Sequence, residues 1–519
     1  MMTVITIVFA LCFMVCWLAV LRYDIQMFQQ NSYRPERFIP WAKGHILGHW
    51  RWVPLVLAAL VWNKYLALAA AAVMVYCAFK EFKTKYKISI AYTARVKRLY
   101  ACTIVLGLAL LYLAWRIGGA YAFFYTALLI LVLDKLLVLL ANWLNSPMEK
   151  AISKWYYNDA ARKLAKYKDL IIIGVTGSYG KTSTKNYLYR ILSEKYNTLI
   201  TPGNYNTTLG VVRTIREQLQ PMHQVFIVEM GAKQPGDIKE ICDLVHPSIG
   251  IVTSVGEMHL ETFKTKENIQ KTKFELIRSL PPSGLGVINA DSEGIATYSD
   301  IPTNCPVLRY GIKSPEADFR ADAVRYSPSG TDFDVVAEGS RTALHTSLMG
   351  ECNVLNILGA AAAALKLGVS ERQLQMAVAK LRQVEHRLSV SVKGGITVLD
   401  DAYNSNPEGA RMALDALAAL DLPQGARRIV VTPGFVELGQ RQEEACRQLG
   451  EKVAASADIL VIVNKLNRQA IYKGATEAGM PKDNIHCTQN LAEAAALLGR
   501  IAAPPDAVLY ENDLPDTFK

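Results

Sequence analysis

The distribution of apolar residues divides the chain into two parts. Long apolar runs dominate residues 1–147, whereas the later sequence alternates short β-branched runs with amphipathic segments. The run at 3–21 carries no charge over nineteen residues, a length that can cross a hydrocarbon core as a helix. Further apolar runs lie at 52–79, 99–115 and 119–142. We therefore predict a helical transmembrane region over 1–147. A cleaved signal peptide is the alternative for the first run, but no basic segment precedes it and no clear small-residue cleavage site follows it.

The number of predicted membrane helices depends on the run at 52–79, which Asn63 and Lys64 interrupt. One long helix gives four crossings, and a hairpin of two short helices gives five. Basic loops on both sides of this run favour the hairpin, because the positive-inside rule then places both loops in the cytoplasm. The basic residues are Arg22, Arg34, Arg37, Lys43 and Arg51 before the run, and Lys80, Lys83, Lys85, Lys87, Arg95, Lys97 and Arg98 after it.

The sequence after the apolar region predicts a basic juxtamembrane helix at 148–164 and two α/β domains. Short strands alternate with amphipathic helices, which is typical of a doubly wound parallel sheet. The strands are predicted at 170–176, 225–230, 249–255, 285–290, 396–402, 428–434 and 458–464, and helices at 181–195, 266–279, 352–367, 371–383 and 439–455. A new alternation begins after residue 383, so the predicted domains are 165–383 and 384–519.

Charge and cysteine content limit the partners and the compartment. The net charge of +11 is concentrated beside the apolar region, where attraction to anionic lipid headgroups explains it, and we expect no nucleic-acid partner. The nine cysteines are scattered without a CxxC pair or metal-type spacing. This pattern indicates a reduced, cytoplasmic catalytic part. Together with the apolar runs, it predicts a multi-pass protein of the cell membrane.

The segment GVTGSYGKTS at 174–183 follows an apolar strand and opens a helix, which is the setting of a phosphate-binding loop. Glycines let backbone N–H groups approach phosphates, and the helix start adds partial positive charge. The strict Walker pattern needs glycine at position 175, where this chain has Val175. Lys181 is predicted to reach the β and γ phosphates, and the hydroxyl of Thr182 to bind Mg²⁺. The predicted nucleotide-binding residues of this loop are Thr176, Gly177, Ser178, Gly180, Lys181, Thr182 and Ser183.

Two more candidates follow predicted strands and should lie at the same edge of the sheet. Glu229 ends the strand at 225–230, a usual place for a metal ligand beside a phosphate-binding loop. His259 follows the strand at 249–255. Either residue alone is readily explained as structural, so the hypothesis of a metal site depends on their occurring together.

Nine motifs in order make the chain resemble the Mur ligase family, and most closely its UDP-N-acetylmuramoyl-tripeptide:D-alanyl-D-alanine ligase branch. The resemblance covers about 165–519. The motifs are TGSYGKTS (176–183), TPGNYNTTLG (201–210), VEMGAKQPGDI (228–238), SVGEMHLETF (254–263), INADS (288–292), NVLNILGAAAA (353–363), HRL (386–388), LDDAYNSNP (399–407) and VELG (436–439). The implied fold is α/β, a central P-loop ATP-binding domain with a Rossmann-like C-terminal domain after the helical membrane region.

The resemblance also implies the reaction and its cofactors. Such ligases use ATP to phosphorylate a carboxylate, and an amine then attacks the acyl phosphate. Two Mg²⁺ ions are implied, the first held by Thr182 and Glu229. His259 would hold the second together with Lys273, the position of a carbamylated lysine in the family. The other implied contacts are Asn289 with adenine, Arg387 with the γ phosphate, Asp401 with the ribose, Asn204, Asn206 and Thr207 with the acceptor, and Asn404 and Asn406 with the amine.

Departures from the family pattern bear on the substrate. Membrane segments stand where cytoplasmic Mur ligases have a soluble domain that holds the UDP-sugar, which suggests a lipid-linked acceptor such as an undecaprenyl-carried muropeptide. Cys352 stands where histidine is common, and TPGFVELG replaces GDMLELG, so the added amino acid or dipeptide stays open. Two alternatives remain: a ligase for another envelope or poly-amino-acid polymer, and a non-catalytic nucleotide-binding membrane scaffold. The presence of every implied catalytic residue argues against the scaffold.

Overall fold

The computed structural model describes residues 2–46, 64–84, 86, 88–327, 330–337, 339–402 and 406–514. The chain divides into two compact units, one built on Met1–Trp155 and one on Tyr156–Asp513. The described part of the first unit is helical, and the second unit is an α/β structure with two sheets.

Four helices are described in the N-terminal part of the chain: α1 (Met2–Gln30), α2 (Pro35–Ile46), α3 (Lys64–Lys83) and α4 (Ala94–Leu164). Gly118 and Gly119 kink α4, because both leave helical geometry and Gly119 has a φ of 60°. The predicted runs at 99–115 and 119–142 lie on the two sides of this kink, and the predicted helix at 148–164 continues α4 rather than standing alone. The predicted hairpin at 52–79 depends on residues 47–63, which lie outside the described residues.

By length and composition, two helices in the described part of the chain, α1 and α4, could cross a membrane. The apolar window of α1 is only 39% buried. Buried core helices and signal sequences can have the same length and composition. The multi-pass arrangement with four or five crossings therefore stays a prediction.

Buried charges join α1 to α4. Nζ of Lys135 lies 3.3 Å from Oδ1 of Asp24, and both side chains are almost completely buried. Next to this pair, Nε1 of Trp17 donates a hydrogen bond of 2.6 Å to Oδ1 of Asp134. Pairing compensates charges that would be costly to bury alone. These contacts fix which faces of the two helices meet.

The first sheet of the second unit has the strand order β2-β3-β1-β4-β5-β6-β7-β8-β9. Its strands are β1 (Ile171–Thr176), β2 (Thr198–Ile200), β3 (Val225–Glu229), β4 (Ile249–Val252), β5 (Leu285–Asn289), β6 (Val307–Gly311), β7 (Phe319–Ser327), β8 (Gly330–Ala337) and β9 (Ser340–Thr346). Its helices are α5 (Lys181–Leu192), α6 (Thr208–Gln218), α7 (Asp237–Val245), α8 (Leu260–Phe263), α9 (Lys266–Arg278), α10 (Glu293–Ala296), α11 (Glu351–Lys366) and α12 (Glu371–Ala379). Apolar residues from both faces of the sheet form two cores beneath these helices.

The strand order places β1 between β3 and β4, so the carboxyl ends of these three strands lie side by side at one edge of the sheet. β1 pairs in parallel with β3 on one side and with β4 on the other. The chain therefore changes direction across the sheet at β1, and ligands bind at the carboxyl ends of parallel strands at such a switch point. The prediction of a parallel sheet holds for β1–β6, but β7–β9 pair antiparallel. β9 alternates exposed and buried residues, because only one face of this extension is covered.

The second sheet has the order β10-β11-β15-β12-β13-β14. Its strands are β10 (Ser389–Lys393), β11 (Ile396–Asp401), β12 (Arg428–Thr432), β13 (Ile459–Val463), β14 (Ile485–Thr488) and β15 (Ala507–Glu511). Its helices are α13 (Pro407–Ala418), α14 (Gln442–Ser456), α15 (Arg468–Glu477) and α16 (Leu491–Ile501), and a 3₁₀ turn at Gly439–Arg441 precedes α14. β10 is antiparallel to β11, and the other pairs are parallel.

Glycines allow α14 and α15 to touch through their backbones. A Cβ at Gly474 would lie 1.9 Å from the carbonyl oxygen of Arg447. We expect Gly474→Ala to lower the free energy of unfolding by about 1–3 kcal/mol, because neither backbone can yield without separating the helices. Thermal unfolding of the purified protein measures the loss. Gly499→Ala in α16 is the control, since nothing lies within 4 Å of its Cβ position, and an equal loss there would contradict the packing argument.

Candidate active site

The loop between β1 and α5 packs closely against the segment after β4. The backbone N–H of Ser178 donates to the carbonyl of Ser254 at 2.9 Å, and the N–H of Tyr179 donates to the hydroxyl of Ser254 at 2.8 Å. A Cβ at Gly177 would lie 2.1 Å from Oγ1 of Thr253, so only glycine fits there. Gly180 directly precedes α5 and has a φ of 80°, a conformation that favours glycine. The loop is thus held rigidly at the helix start.

The polar side chains of the loop are anchored by specific contacts. Oγ1 of Thr176 donates to the carbonyl of Met230 at 2.8 Å. Nζ of Lys181 lies 2.7 Å from the carbonyl oxygen of Gly177 and 3.0 Å from that of Ser178. Ser183 is buried in the first turn of α5. The ammonium group of Lys181 therefore lies over the loop itself, where phosphates would bind.

Glu229 stands at the end of β3 beside the loop. Its Oε1 accepts hydrogen bonds from Oγ1 of Thr182 at 3.2 Å and from Nδ2 of Asn206 at 3.1 Å. Nζ of Lys185 approaches its Oε2 to 3.0 Å as an ion pair, and both side chains are only 1% exposed. This approach does not have hydrogen-bond geometry, and Oε2 accepts no hydrogen bond among the described residues.

Charges around the loop shift the pKa values of both groups. Burial lowers the pKa of Lys181 to about 8, although the carboxylate of Glu229 opposes the shift and the guanidinium of Arg387 adds to it. Burial alone would raise the pKa of Glu229, but the ammonium groups of Lys185 and Lys181 outweigh it and hold that pKa below its usual value. Glu229 is therefore ionised at neutral pH, as a metal ligand must be.

His259 and Lys273 form a second group at the same edge of the sheet. Nδ1 of His259 contacts Oε2 of Glu437, a residue of the second sheet's part of the chain. Burial lowers the pKa of His259, and Glu437 opposes this shift. Lys273 lies in α9 and is 4% exposed. Burial lowers its pKa to about 7, with a further contribution from Lys181.

Arg387 and Asp401 come from the second sheet's part of the chain. Asp401 ends β11, and its Oδ1 accepts a hydrogen bond of 3.0 Å from the backbone N–H of Leu388. Burial raises the pKa of Asp401 to about 6, and the guanidinium of Arg387 opposes the shift. Because Arg387 also shifts the pKa of Lys181, its charge acts on both the phosphate loop and Asp401.

The predicted adenine contact, Asn289, is buried at the end of β5. Its Nδ2 donates to the carbonyl of Thr253 at 2.9 Å, and its Oδ1 accepts from the N–H of Asp291 at 3.0 Å. These bonds connect the end of β5 to the segment that supports the phosphate loop. Asn289 therefore has a structural role here, and its contact with adenine stays a prediction.

The residues predicted to contact the substrate differ in whether the structure gives them another role. Asn206 holds Glu229, and Thr207 caps α6 by accepting from the N–H of Gly210 at 3.3 Å. Asn406 caps α13 by accepting from the N–H of Gly409 at 3.0 Å. Asn204 is exposed, and Asn404 lies outside the described residues. Three of the five thus have structural contacts that their sequence positions did not reveal.

Comparison with known proteins assigns the family. Residues 175–364 match the model of the Mur ligase middle domain, and 386–510 match that of the Mur ligase glutamate ligase domain. The UDP-N-acetylmuramoyl-tripeptide--D-alanyl-D-alanine ligase of Mycobacterium tuberculosis is 33% identical over 361 residues, which cover 66% of this chain and 70% of that enzyme. This chain belongs to the Mur ligase family.

Solved structures agree with the Mur ligase assignment. MurF from Acinetobacter baumannii superposes with a TM-score of 0.63 at 26% identity, over 70% of this chain and 77% of that one. MurF from Thermotoga maritima in complex with ADP gives a TM-score of 0.61 at 27% identity, over 70% of this chain and 80% of that one. The chain is therefore an ATP-dependent, ADP-forming ligase, and the predicted Mur ligase fold is confirmed.

The residues present fit the Mg²⁺ that Mur ligases use. Oxygen ligands suit this ion, and Glu229 offers a buried, ionised carboxylate beside the hydroxyl of Thr182, with its Oε2 also paired with the ammonium of Lys185. Within the described chain, no three His, Cys, Asp or Glu side chains cluster as a metal site.

Two residues of the Mur ligase site were not identified from the sequence, Lys185 and Glu437. Lys185 follows Lys181 by four residues and so lies on the same face of α5, but sequence alone does not show which lysine is buried. Glu437 belongs to the VELG motif, and its contact with His259 joins residues far apart in the chain. Only the fold brings that pair together.

Besides pairing with Glu229, Lys185 also holds the loop at 201–203. Its Nζ donates to the carbonyl oxygens of Thr201 and Gly203 at 2.9 and 2.7 Å. We expect Lys185→Met to lower the free energy of unfolding by about 3–5 kcal/mol, because it leaves the charge of Glu229 buried without its ion-pair partner. Denaturant unfolding measures the loss. The double variant with Glu229→Gln should recover a large part of it, and a simple addition of the two single losses would contradict this explanation.

Proposed function

We propose that this ligase joins the carboxylate of a muropeptide to the amine of an amino acid or dipeptide, such as D-alanyl-D-alanine, during the synthesis or modification of peptidoglycan precursors. The observation that carries the proposal is the arrangement of Lys181, Thr182 and Glu229 at one sheet edge beside His259 and Lys273. The similarity to enzymes named for the D-alanyl-D-alanine reaction supports the choice of amine.

The chemistry follows from where the charges lie. A carboxylate oxygen of the acceptor attacks the γ phosphorus of ATP, and ADP leaves. The amine nitrogen then attacks the acyl carbon and loses a proton, and phosphate leaves with the bonding electrons. Lys181 and Arg387 would place positive charge on the transferred phosphoryl group, and domain contact would bring Arg387 to it. Asp401 would bind the ribose and Asn289 would lie against the adenine.

Two Mg²⁺ positions are proposed, one at Thr182 and Glu229 and one at His259 and Lys273. When bound, the ions would neutralise charge on the phosphates. A pKa of about 7 makes the neutral amine of Lys273 available at physiological pH, so that its nitrogen can add to CO₂ and release a proton. The resulting carbamate is a carboxylate analogue and therefore a metal ligand. Stripping CO₂ should lower activity, bicarbonate should restore it, and ¹³C-bicarbonate should give a carbamate signal absent from Lys273→Ala.

We further propose that the acceptor is lipid-linked and that the first unit attaches the enzyme to the cell membrane, with the ligase part in the cytoplasm. Two observations support this: the family models begin at residue 175, and two apolar helices precede them. Asn204, which is exposed, stays a candidate for substrate contact, and Asn404 is proposed beside it from the resemblance alone. Membrane lipids would then be the partners of α1 and α4.

The test is phosphate release by the full chain in detergent and in vesicles. Lipid-linked and nucleotide-linked muropeptides are each offered with single amino acids and with D-alanyl-D-alanine, and Lys181→Ala serves as the inactive control. Turnover that needs the lipid-linked acceptor supports the whole proposal. Turnover with only the nucleotide-linked tripeptide overturns the lipid-linked acceptor but keeps the ligase. ATP binding without turnover of any pair favours another polymer or the scaffold.

A further inference from the structure

We propose that Glu437 is a positioning residue that the C-terminal domain supplies to the second metal position, where it orients the imidazole of His259. Ion binding at His259 would then depend on contact between the two domains of the second unit. This inference rests on the proposed function, because it takes His259 to be a metal ligand.

The contact involves both the side chain and the backbone of Glu437. Its Oε2 contacts Nδ1 of His259, and its carbonyl oxygen accepts a hydrogen bond of 3.1 Å from the N–H of Glu261. A histidine that binds a metal through one ring nitrogen commonly donates the other N–H to a carboxylate, which fixes the tautomer and the ring orientation. With Nδ1 engaged by Glu437, Nε2 is the nitrogen left for an ion.

The backbone conformation of both partners indicates that the contact between His259 and Glu437 is a specific feature of the fold. His259 has a φ of 54° and Glu437 a φ of 64°, the left-handed region that residues other than glycine rarely adopt. Such conformations persist only where the surrounding structure holds them, and they concentrate at functional sites. The two left-handed residues contact each other across the boundary between the domains.

A second contact crosses the same boundary without touching His259. Arg441, in the 3₁₀ turn after Glu437, pairs with Glu257, which also lies 2.5 Å from Nζ of Lys266. Replacing Arg441 removes an ion pair between the domains but leaves Glu257 with Lys266 and leaves the contact between Glu437 and His259. A variant of Arg441 is therefore a matched control. It distinguishes a residue that only holds the domains together from one that orients His259.

The arrangement has a thermodynamic consequence. If contact with the C-terminal domain strengthens ion binding at His259, then the ion strengthens domain contact by the same factor. Loss of a carboxylate that orients a metal-binding histidine typically weakens metal affinity about 10–100-fold. Glu437→Ala should therefore weaken one ion site by this factor and leave the ion at Thr182 and Glu229 unchanged.

The experiment titrates Mn²⁺, a spectroscopic substitute for Mg²⁺, into the full chain with a non-hydrolysable ATP analogue and counts free Mn²⁺ by electron paramagnetic resonance. We expect two bound ions in the natural protein, about 10–100-fold weaker binding of one of them in Glu437→Ala, and a smaller loss in Glu437→Gln, whose amide oxygen still accepts from Nδ1. Arg441→Gln should weaken this ion far less than Glu437→Ala, because the contact of Glu437 with His259 remains.

Three other results would overturn the inference, and each would do so for a different reason. Equal weakening in Arg441→Gln and Glu437→Ala would mean that Glu437 only holds the domains together. Unchanged Mn²⁺ binding in a folded Glu437→Ala overturns this inference while the proposed function stands. A natural protein that binds a single ion, yet ligates, overturns the second ion position together with the role of Glu437. Kinetics add a further readout: the loss in Glu437→Ala should fall on kcat, with the KM for ATP unchanged.

Discussion

Lys181→Met is expected to lower kcat/KM for ADP formation by about 10²–10³-fold or more, the cost of removing one electrostatic contact to the transferred group. Its Nζ lies over the carbonyl oxygens of Gly177 and Ser178, where the phosphates would bind, and methionine keeps the length of the side chain without its charge. Although burial lowers its pKa to about 8, the ammonium form still predominates at pH 7. A coupled assay for ADP with any accepted substrate pair measures the effect.

Lys195→Met is the matched control for this variant. Nζ of Lys195 also donates to two backbone carbonyl groups, those of Leu367 and Gly368 at 3.1 and 2.7 Å, but it is exposed and lies outside the loop. The control should keep normal ADP formation. Normal turnover in Lys181→Met would contradict the assignment of this loop to the phosphates.

Lys273→Met is expected to abolish ligation and, in the metal-free and CO₂-free protein, to raise the free energy of unfolding. Burial lowers the pKa of Lys273 from 10.5 to about 7 in the folded state. A difference of this size corresponds to a destabilisation on the order of 3–5 kcal/mol at pH 7, which a buried methionine does not suffer. Loss of activity together with increased stability is typical of a residue kept for function.

The dependence on pH separates the charge effect from packing. Between pH 7 and 10.5 the unfolded chain binds more protons at Lys273 than the folded chain, so the stability of the natural protein rises with pH in this window. The gain in the free energy of unfolding from Lys273→Met should be largest below pH 7 and should vanish near pH 10.5. Thermal unfolding across this range in EDTA is the measurement. Lys271→Met, at an exposed position of the same helix, should show no such trend. A gain that is independent of pH would point to packing alone.

The elements predicted from sequence are those with a strong local pattern. β1, β3, β4 and β5 are short apolar runs that are buried on both faces, so their composition alone marks them as strands of a parallel sheet. The phosphate loop was identifiable because its glycines, lysine and hydroxyl are contiguous. All seven predicted strands are present with ends shifted by a few residues.

The antiparallel extension β7–β9 was not predicted, because its strands face solvent on one side. β9 alternates exposed and buried positions, and its sequence SRTALHT contains few apolar residues. The helix caps were missed for a different reason. Asn406 directly precedes Pro407, a sequence typical of a helix start, whereas the family resemblance assigns Asn406 to the substrate.

The contacts within the site depended on the tertiary fold. Neither the ion pair of Lys185 with Glu229 nor the contact of His259 with Glu437 has a local signature, because each joins residues far apart in sequence. Burial also decides the chemistry of Lys273, and an isolated helix pattern could not show that this lysine is buried. Sequence therefore identified the candidates, and the fold determined their protonation and partners.

The buried pair of Asp24 and Lys135 limits where the chain can be shortened to obtain a soluble enzyme. Deleting only α1 would leave Lys135 on α4, whose side chain is 2% exposed in the intact protein, without the carboxylate of Asp24. Such a fragment would also uncover the apolar residues of α4 that pack against α1, and it would therefore be prone to aggregate. A deletion that ends at Trp155 removes both charges together and follows the boundary between the units. The choice of cleavage point thus decides whether the ligase part is recovered in a usable form.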